Sequence, residues 1–238
     1  KPIVWFMHNL AYYGTVRRNK DRVLAVYNSE SALKLVDYPN RKFVLPPPVD
    51  IESMDVCEGK GNFEGKITLI NLNENKGAEV FYKLAELNSD LGFLGVKGSY
   101  GLQVVRNLTN VEIIDNQKDI REVYKRTSIL LMPSERESWG LTATEASANG
   151  IPVICTDLPG LRENMGDAGI YVDRNDIKKW SEMIRKLKGK QEYEAKSSIV
   201  KKRAEMHRPD KKLDDFETEL YALAKKEKQI KKAEYGNG

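Results

Sequence analysis

Residues 128–157 read SILLMPSERESWGLTATEASANGIPVICTD, and they contain a strand, a helix and a second strand in succession. SILLMPS is a short, continuously apolar run that ends at Pro133 and Ser134. GLTATEASANG has the composition of a helix bounded by Gly140 and Gly150, and IPVICTD is apolar again. Neither apolar run alternates with polar residues, as a parallel sheet covered on both faces requires.

The same alternation extends upstream. KITLINL (66–72) reads as a buried strand and GAEVFYKLAELNS (77–89) as the helix that follows it. LGFLGVKG (91–98) and NVEIID (110–115) read as two further strands, and DIREVYKRT (119–127) as a helix. AGIYVD (168–173) is a last short strand. Strands and helices in this order predict a doubly wound α/β domain over residues 66–175. Ligands in such domains bind beyond the carboxyl ends of the strands. The loop that holds Glu137 lies at that edge, because it follows SILLMPS.

Residues 1–50 are read as a partial second lobe. KPIVWFMHN is a strand with a polar end, and RVLAVYNSESALKLV is a strand followed by a helix capped by Asn28 or Ser29. KFVLPPPVD is a strand stopped by three prolines, which cannot donate to a ladder. Residues 51–65 are polar, contain glycine and read as a linker. Residues 176–238 read as charged helices that end in a disordered YGNG tail.

Composition limits the function classes. In 238 residues, 40% are hydrophobic and 31% charged, which suits a globular chain with a core. No apolar run approaches the roughly 18 residues that span a bilayer, and no secretory signal pattern occurs. Two distant cysteines, Cys57 and Cys155, and two histidines make a structural zinc site a poor reading and a reduced, cytoplasmic chain the simpler one. The net charge of +4 is mild, and its densest run is KKEKQIKK at 225–232. That run reads as a solvated helix face, with a peripheral membrane contact as the alternative. No signature of nucleic-acid recognition accompanies it.

At the strand end, Gly140 permits a tight turn into a helix whose first N–H groups and positive dipole end suit a phosphate. Glu145, in the second turn, can face the same crevice, where a carboxylate is favourable only with hydroxyl donors to hold. Glu137, in the loop, could meet a second set of hydroxyls. On spacing alone the plainer account is a charge at the helix start for Glu137 and a solvated residue for Glu145.

The long ordered pattern Pro133-Ser134, Glu137, Trp139-Gly140, Glu145-Ala146, Gly150-Ile151-Pro152-Val153, Asp157 and Gly160 resembles the signature of retaining glycosyltransferases of family 4. NENKGAEVFYKLAEL is similar to that family's Lys-Gly helix start, and FVLPPPVD to its inter-domain strand end. The resemblance covers roughly residues 1–175. It implies the GT-B fold, with a Rossmann-like parallel sheet carrying helices on both faces and a short remnant of a second such lobe.

It also implies roles. Glu145 would bind ribose hydroxyls of a nucleotide diphosphate sugar, and Glu137 hydroxyls of the donor hexose. Backbone amides near Gly140, Leu141 and Thr142, flanked by Ser138 and Trp139, would cradle the diphosphate. Lys76 would neutralise the diphosphate as it leaves. The base would lie near Asp115 and Asn116. His8, at the end of KPIVWFMHN, would position the acceptor or the reacting hydroxyl. Where the family commonly has Gly-Arg as a second clamp, this chain has Ile70-Asn71. Asn71 donates without charge, and Arg17, Arg18 or Lys97 could supply the missing cation. His207, in a charged stretch, reads as a surface residue.

The expected activity is therefore transfer of a hexosyl group from a UDP- or GDP-sugar to a hydroxyl of a saccharide, lipid-linked or protein acceptor, with retention of configuration. No resident cofactor or metal is expected, since the loop has no Asp-x-Asp motif. Most of the family's acceptor domain is missing ahead of Lys1. The expectation is a truncated piece, or a minimal form whose acceptor lobe a partner chain builds. A donor-binding module dependent on such a chain is one rival. A sugar-nucleotide epimerase is another, and a phosphorylase, which would need a cofactor lysine, is a third.

Overall fold

The computed structural model describes residues 3–7, 23–36 and 41–235 of the chain. It divides into two compact units, one of residues 1–48 with 208–238 and one of residues 49–207.

The first unit is built on a three-stranded parallel sheet of β1 (Ile3–Met7), β2 (Val23–Tyr27) and β3 (Arg41–Val44), in that spatial order. Every residue of β2 is buried. Successive side chains of a strand point to opposite faces, so Ala25 and Tyr27 meet Ala32 of helix α1 (Glu30–Leu35) while Leu24 and Val26 meet the other side. Ser29 caps α1, its Oγ accepting from the Ala32 amide at 2.9 Å. The second face is covered by α9 (Asp210–Tyr235), through Phe216, Leu220 and Leu223. Arg41 and Glu219 add an ion pair at 3.0 Å. The terminal helix thus groups with the first unit, whereas the two helices immediately before it belong to the second.

The second unit begins with α2 (Ile51–Met54), capped by Asp50, whose carboxylate accepts from the Ser53 amide at 3.0 Å. The stretch 51–65, expected as a linker, belongs to this unit. Its polar residues serve as local hydrogen-bonding groups. The Val56 amide donates to Asn149 Oδ1 at 2.8 Å, the Asn62 side chain to the Lys125 carbonyl at 2.7 Å, and Asp55 pairs with Lys201 at 2.9 Å.

Six parallel strands follow: β4 (Lys66–Ile70), β5 (Phe93–Val96), β6 (Val111–Ile114), β7 (Thr127–Met132), β8 (Val153–Thr156) and β9 (Ile170–Val172). Their spatial order is β6-β5-β4-β7-β8-β9. The chain first winds outward from β4 to β6, then returns to β7 on the other side, so β4 and β7 flank the point where the winding reverses. Between strands run α3 (Ala78–Leu87), α4 (Arg121–Tyr124), α5 (Leu141–Ala148) and α6 (Pro159–Met165), and β9 leads into α7 (Ile177–Leu187) and α8 (Lys190–Glu205).

All six residues of β7 are buried. Ile129 and Leu131 face one core with Phe81 and Tyr82 of α3 and Trp180 and Ile184 of α7. Leu130 and Met132 face the other with Ala143 and Ala146 of α5 and Leu161 and Met165 of α6. Trp180, Ile184 and Leu187 recur at helical spacing, which gives α7 its buried stripe. Each large side chain so buried contributes about 1.5–3 kcal/mol. Helices on both faces of a parallel sheet are the α/β architecture expected from the apolar runs. Among the described residues no helix is long and apolar enough to cross a membrane.

Candidate functional site

Two loops leave the carboxyl ends of β4 and β7, the central pair of the second sheet. A crevice forms at such a reversal because the connections on either side run to opposite faces.

The first loop turns sharply. Asn71 has φ 72°, and Asn73 caps a 3-10 turn at Glu74–Lys76, its Oδ1 accepting from the Lys76 amide at 2.9 Å. Gly77, at φ 90°, then starts α3. A Cβ at Gly77 would lie 2.5 Å from the Pro133 carbonyl oxygen, so the two loops approach as closely as they do only because residue 77 has no side chain. The Glu135 amide donates to the Asn75 carbonyl at 2.8 Å. Arg174, just beyond β9, donates from Nε to the Pro133 carbonyl at 2.9 Å and from Nη2 to the Glu74 carbonyl at 2.8 Å. Its planar fork ties one loop to the other.

This arrangement brings two of the expected catalytic groups together. Lys76 Nζ lies 2.5 Å from Glu137 Oε1, and Ser134 Oγ donates to the same oxygen at 2.8 Å. The pair is largely shielded, with 25% of the Lys76 side chain and 10% of that of Glu137 exposed.

Gly140 (φ 82°, ψ 63°) stands at the start of α5. Leu141 is exposed on the first turn, and Thr142 turns its hydroxyl to Met132 Sδ at 3.7 Å. No acidic residue occupies that turn, which leaves the amide end of the helix suited to an anion. Glu145, one turn further, accepts a 2.7 Å hydrogen bond from the Tyr124 hydroxyl. Burial raises the Glu145 pKa above the usual carboxylate range, and the Tyr124 bond opposes that shift.

The Trp139 side chain is buried, and Nε1 donates to Thr144 Oγ1 at 3.2 Å, so the indole braces the loop from within. The buried Asn164 side chain of α6 donates to the Trp139 and Gly140 carbonyls at 3.0 and 3.1 Å. His207 is likewise no free surface residue. Its Nε2 is 2.7 Å from the Asn164 carbonyl oxygen and its ring meets that of Trp139 edge-on at 5.1 Å. Burial lowers its pKa.

Asn71 is buried, and its Oδ1 accepts from Asn73 Nδ2 at 2.9 Å and from Gln103 Nε2 at 3.0 Å. Lys97, expected as an alternative cation, pairs with Asp115 at 2.8 Å. Asn116 is exposed at the end of β6, two strands from β4, and is not part of the Lys76–Glu137 cluster. His8, Arg17 and Arg18 lie outside the described residues. Tyr124, Asn164, Arg174 and Gln103 were not singled out from the sequence. None of these carried a visible signal; Asn164, for instance, is one of three consecutive polar residues in LRENM.

Residues 102–205 match the family model described as glycosyl transferases group 1. A D-inositol 3-phosphate glycosyltransferase of Nocardioides sp. is 30% identical over 123 residues, which are 51% of this chain and 26% of that protein. An O-antigen chain mannosyltransferase B of Escherichia coli is 37% identical over 60 residues, 25% of this chain and 16% of that one. The matched stretches thus span about a quarter or less of these relatives. The crystal structure of Anabaena Alr3699/HepE in complex with UDP and glucose superimposes with a TM-score of 0.74, over 93% of this chain and 72% of that one, at 14% identity. The parallel α/β sheets with flanking helices resemble those of GT-B glycosyltransferases, and residues 102–205 are similar to glycosyl transferases group 1.

Proposed function

We propose that the chain carries the donor site of a glycosyltransferase of the retaining family 4. The enzyme moves a hexosyl group from a UDP- or GDP-sugar to a hydroxyl of a saccharide, lipid-linked or protein acceptor, keeping the anomeric configuration. The observation that carries this reading is the meeting of Lys76 and Glu137 at the reversal point of the sheet, beside the glycine-led start of α5. A diphosphate seated on the Leu141 and Thr142 amides is held by the helix terminus. Lys76 then stabilises the charge that grows on it as the bond to the sugar breaks. Glu137 and Glu145 are acceptors, one for hexose hydroxyls and one for the ribose diol. Asn71 adds a neutral donor near the diphosphate, and His8 positions the acceptor. The chemistry needs no resident cofactor or metal.

UDP is the first nucleotide to test, because HepE was crystallised with UDP and glucose. A panel of UDP- and GDP-sugars is assayed for transfer to mixed acceptors, with the anomeric signal of the product read by NMR. Glu137→Ala should cut transfer about 100-fold or more, as loss of a group aimed at the transition state does. Unchanged turnover in that variant would remove Glu137 from the role of sugar clamp. A second reading is a donor-binding module completed by another chain. It is favoured by the placement of every described site residue within residues 49–207. Calorimetric binding of UDP or GDP without transfer selects it. Conversion of the free sugar nucleotide with no acceptor present selects an epimerase instead.

A further inference from the structure

Tyr124 is the last residue of α4, and its side chain is fully buried. Around it lie Leu130, Met132, Ala143 and Ile151. Its hydroxyl is aimed at α5, 2.7 Å from Glu145 Oε2 and 3.5 Å from the Thr142 carbonyl oxygen. A phenol in such surroundings stays protonated, and its pKa is raised well above the ordinary value by burial and by the nearby carboxylate. It is therefore a fixed neutral donor. Among the described residues the second carboxylate oxygen of Glu145, Oε1, makes no hydrogen bond, while the Glu145 backbone carbonyl is held by Asn149 Nδ2 at 2.9 Å. The carboxylate thus sits at the border of the core, with one oxygen pinned and the other open.

We propose that Tyr124 is the positioning residue for Glu145, holding Oε2 so that Oε1 faces a vicinal diol and the carboxyl group stays an acceptor. The inference rests on the reading of Glu145 as the ribose clamp. Two neighbouring hydroxyls each donate to a carboxylate, whereas a protonated carboxyl group has lost the charge that makes those bonds strong and one of the lone pairs that accepts them. Among the described residues Tyr124 is the titratable group that bears on Glu145, and no cation does so. The tyrosine is accordingly the one described feature that counters the burial of this carboxylate. Without its hydroxyl, Glu145 would take up a proton at higher pH and lose its hold on the diol there.

The test compares the full chain with Tyr124→Phe, which keeps the ring and its packing. The Glu145 carboxyl titration is followed by carbon-detected NMR, assigned by its loss in Glu145→Gln, and UDP affinity is measured by calorimetry. Expected are a higher Glu145 midpoint in Tyr124→Phe, and an affinity loss of about twofold near pH 8 that grows to about fivefold or more near pH 5.5, as linkage to one carboxyl group demands. An unmoved midpoint, or an equal loss at both pH values, would reduce Tyr124 to packing and overturn the proposal. If the midpoint rises but the unaltered chain binds neither UDP nor GDP at any pH, the hold of Tyr124 on Glu145 stands and the assignment of the site is what fails.

Discussion

Lys76 and Glu137, 61 residues apart in the sequence, form a 2.5 Å ion pair that bridges the loops leaving β4 and β7. The ammonium and the carboxylate, each given a separate role toward a nucleotide sugar in the proposed function, are bonded to each other. Ser134 adds its hydroxyl to the same carboxylate oxygen. On the proposed function a diphosphate would share the ammonium, which carries three N–H donors of which the pair uses one.

Removing one partner of such a shielded pair costs more than the pair itself contributes. Lys76→Ala leaves Glu137 with Ser134 as its described donor, at a cost of about 1–3 kcal/mol. The melting temperature should fall by roughly 2–4 °C for each kcal/mol in a chain of this size. Adding Glu137→Gln to that variant should recover part of the loss, since a neutral amide needs less compensation. Thermal unfolding of the two single variants and the double variant gives the coupling. A double variant no better than the sum of the singles would mean that the pair is not energetically linked.

Gly140 holds a backbone conformation that side chains rarely adopt, at φ 82°, and a Cβ there would lie 2.5 Å from Leu161 Cδ2. Gly140→Ala should therefore destabilise the chain by at least about 1 kcal/mol, the scale of left-handed strain at a non-glycine residue. It should also weaken UDP binding about tenfold or more, because the first amides of α5 turn with this residue. Denaturation midpoints and calorimetry check the two effects separately. Lost stability with unchanged affinity would move the phosphate seat away from this helix.

β5, β7 and β8 were legible because each is an apolar run with its stop signal, and burial on both faces removes the ambiguity of an alternating pattern. The turn at Gly140 and the two glutamates were legible because they are close in sequence and their spacing sets their places on one helix. The Lys76–Glu137 contact is different. It depends on which strands become neighbours, and the order β5-β4-β7 is a property of the whole sheet. The surroundings of Trp139 are likewise a property of the whole fold: α6 brings Asn164 to its carbonyl, and His207, just beyond α8, lies against its ring. The polar stretch 51–65 reads as flexible by composition, whereas Asp55 and Asn62 spend their polarity on Lys201 and Lys125. The grouping of α9 with the first sheet rests on Phe216, Leu220 and Leu223, an apolar stripe hidden among charges.

His207 gives a pH dependence with a defined sign. Burial lowers its pKa in the folded chain below the ordinary value of 6.5. Below that value the unfolded chain binds a proton that the folded chain resists, so the stability associated with this residue is present above about pH 6.5 and lost as the pH falls. His207→Gln retains an amide to reach the Asn164 carbonyl and has no proton to gain. Between about pH 7 and pH 5, where an unperturbed histidine titrates, the unaltered chain should lose more of its melting temperature than this variant does. Parallel slopes in scanning calorimetry would show that His207 titrates as freely in the folded chain as in the unfolded one.

Glu145 carries the opposite sign and a cost to the fold. Its pKa is raised by burial, so the folded chain holds the proton more tightly than the unfolded chain does. Above the ordinary carboxylate range the folded state must keep a partly desolvated charge, and stability falls as the pH rises through the window between the two values. Glu145→Gln removes that charge and keeps an oxygen to accept from Tyr124. Near pH 7 the variant should melt about 1–3 °C higher than the unaltered chain, the modest gain typical of relieving a functional site. Near pH 4, where the unaltered carboxyl group is itself protonated, the advantage should vanish. UDP affinity should fall about tenfold or more, because the amide replaces one acceptor by a donor facing the diol. A stabilised variant with weakened binding is the joint outcome expected of a carboxylate kept for its ligand. A variant that melts lower near pH 7 would mark Glu145 as a structural residue of α5 and remove it from the donor site.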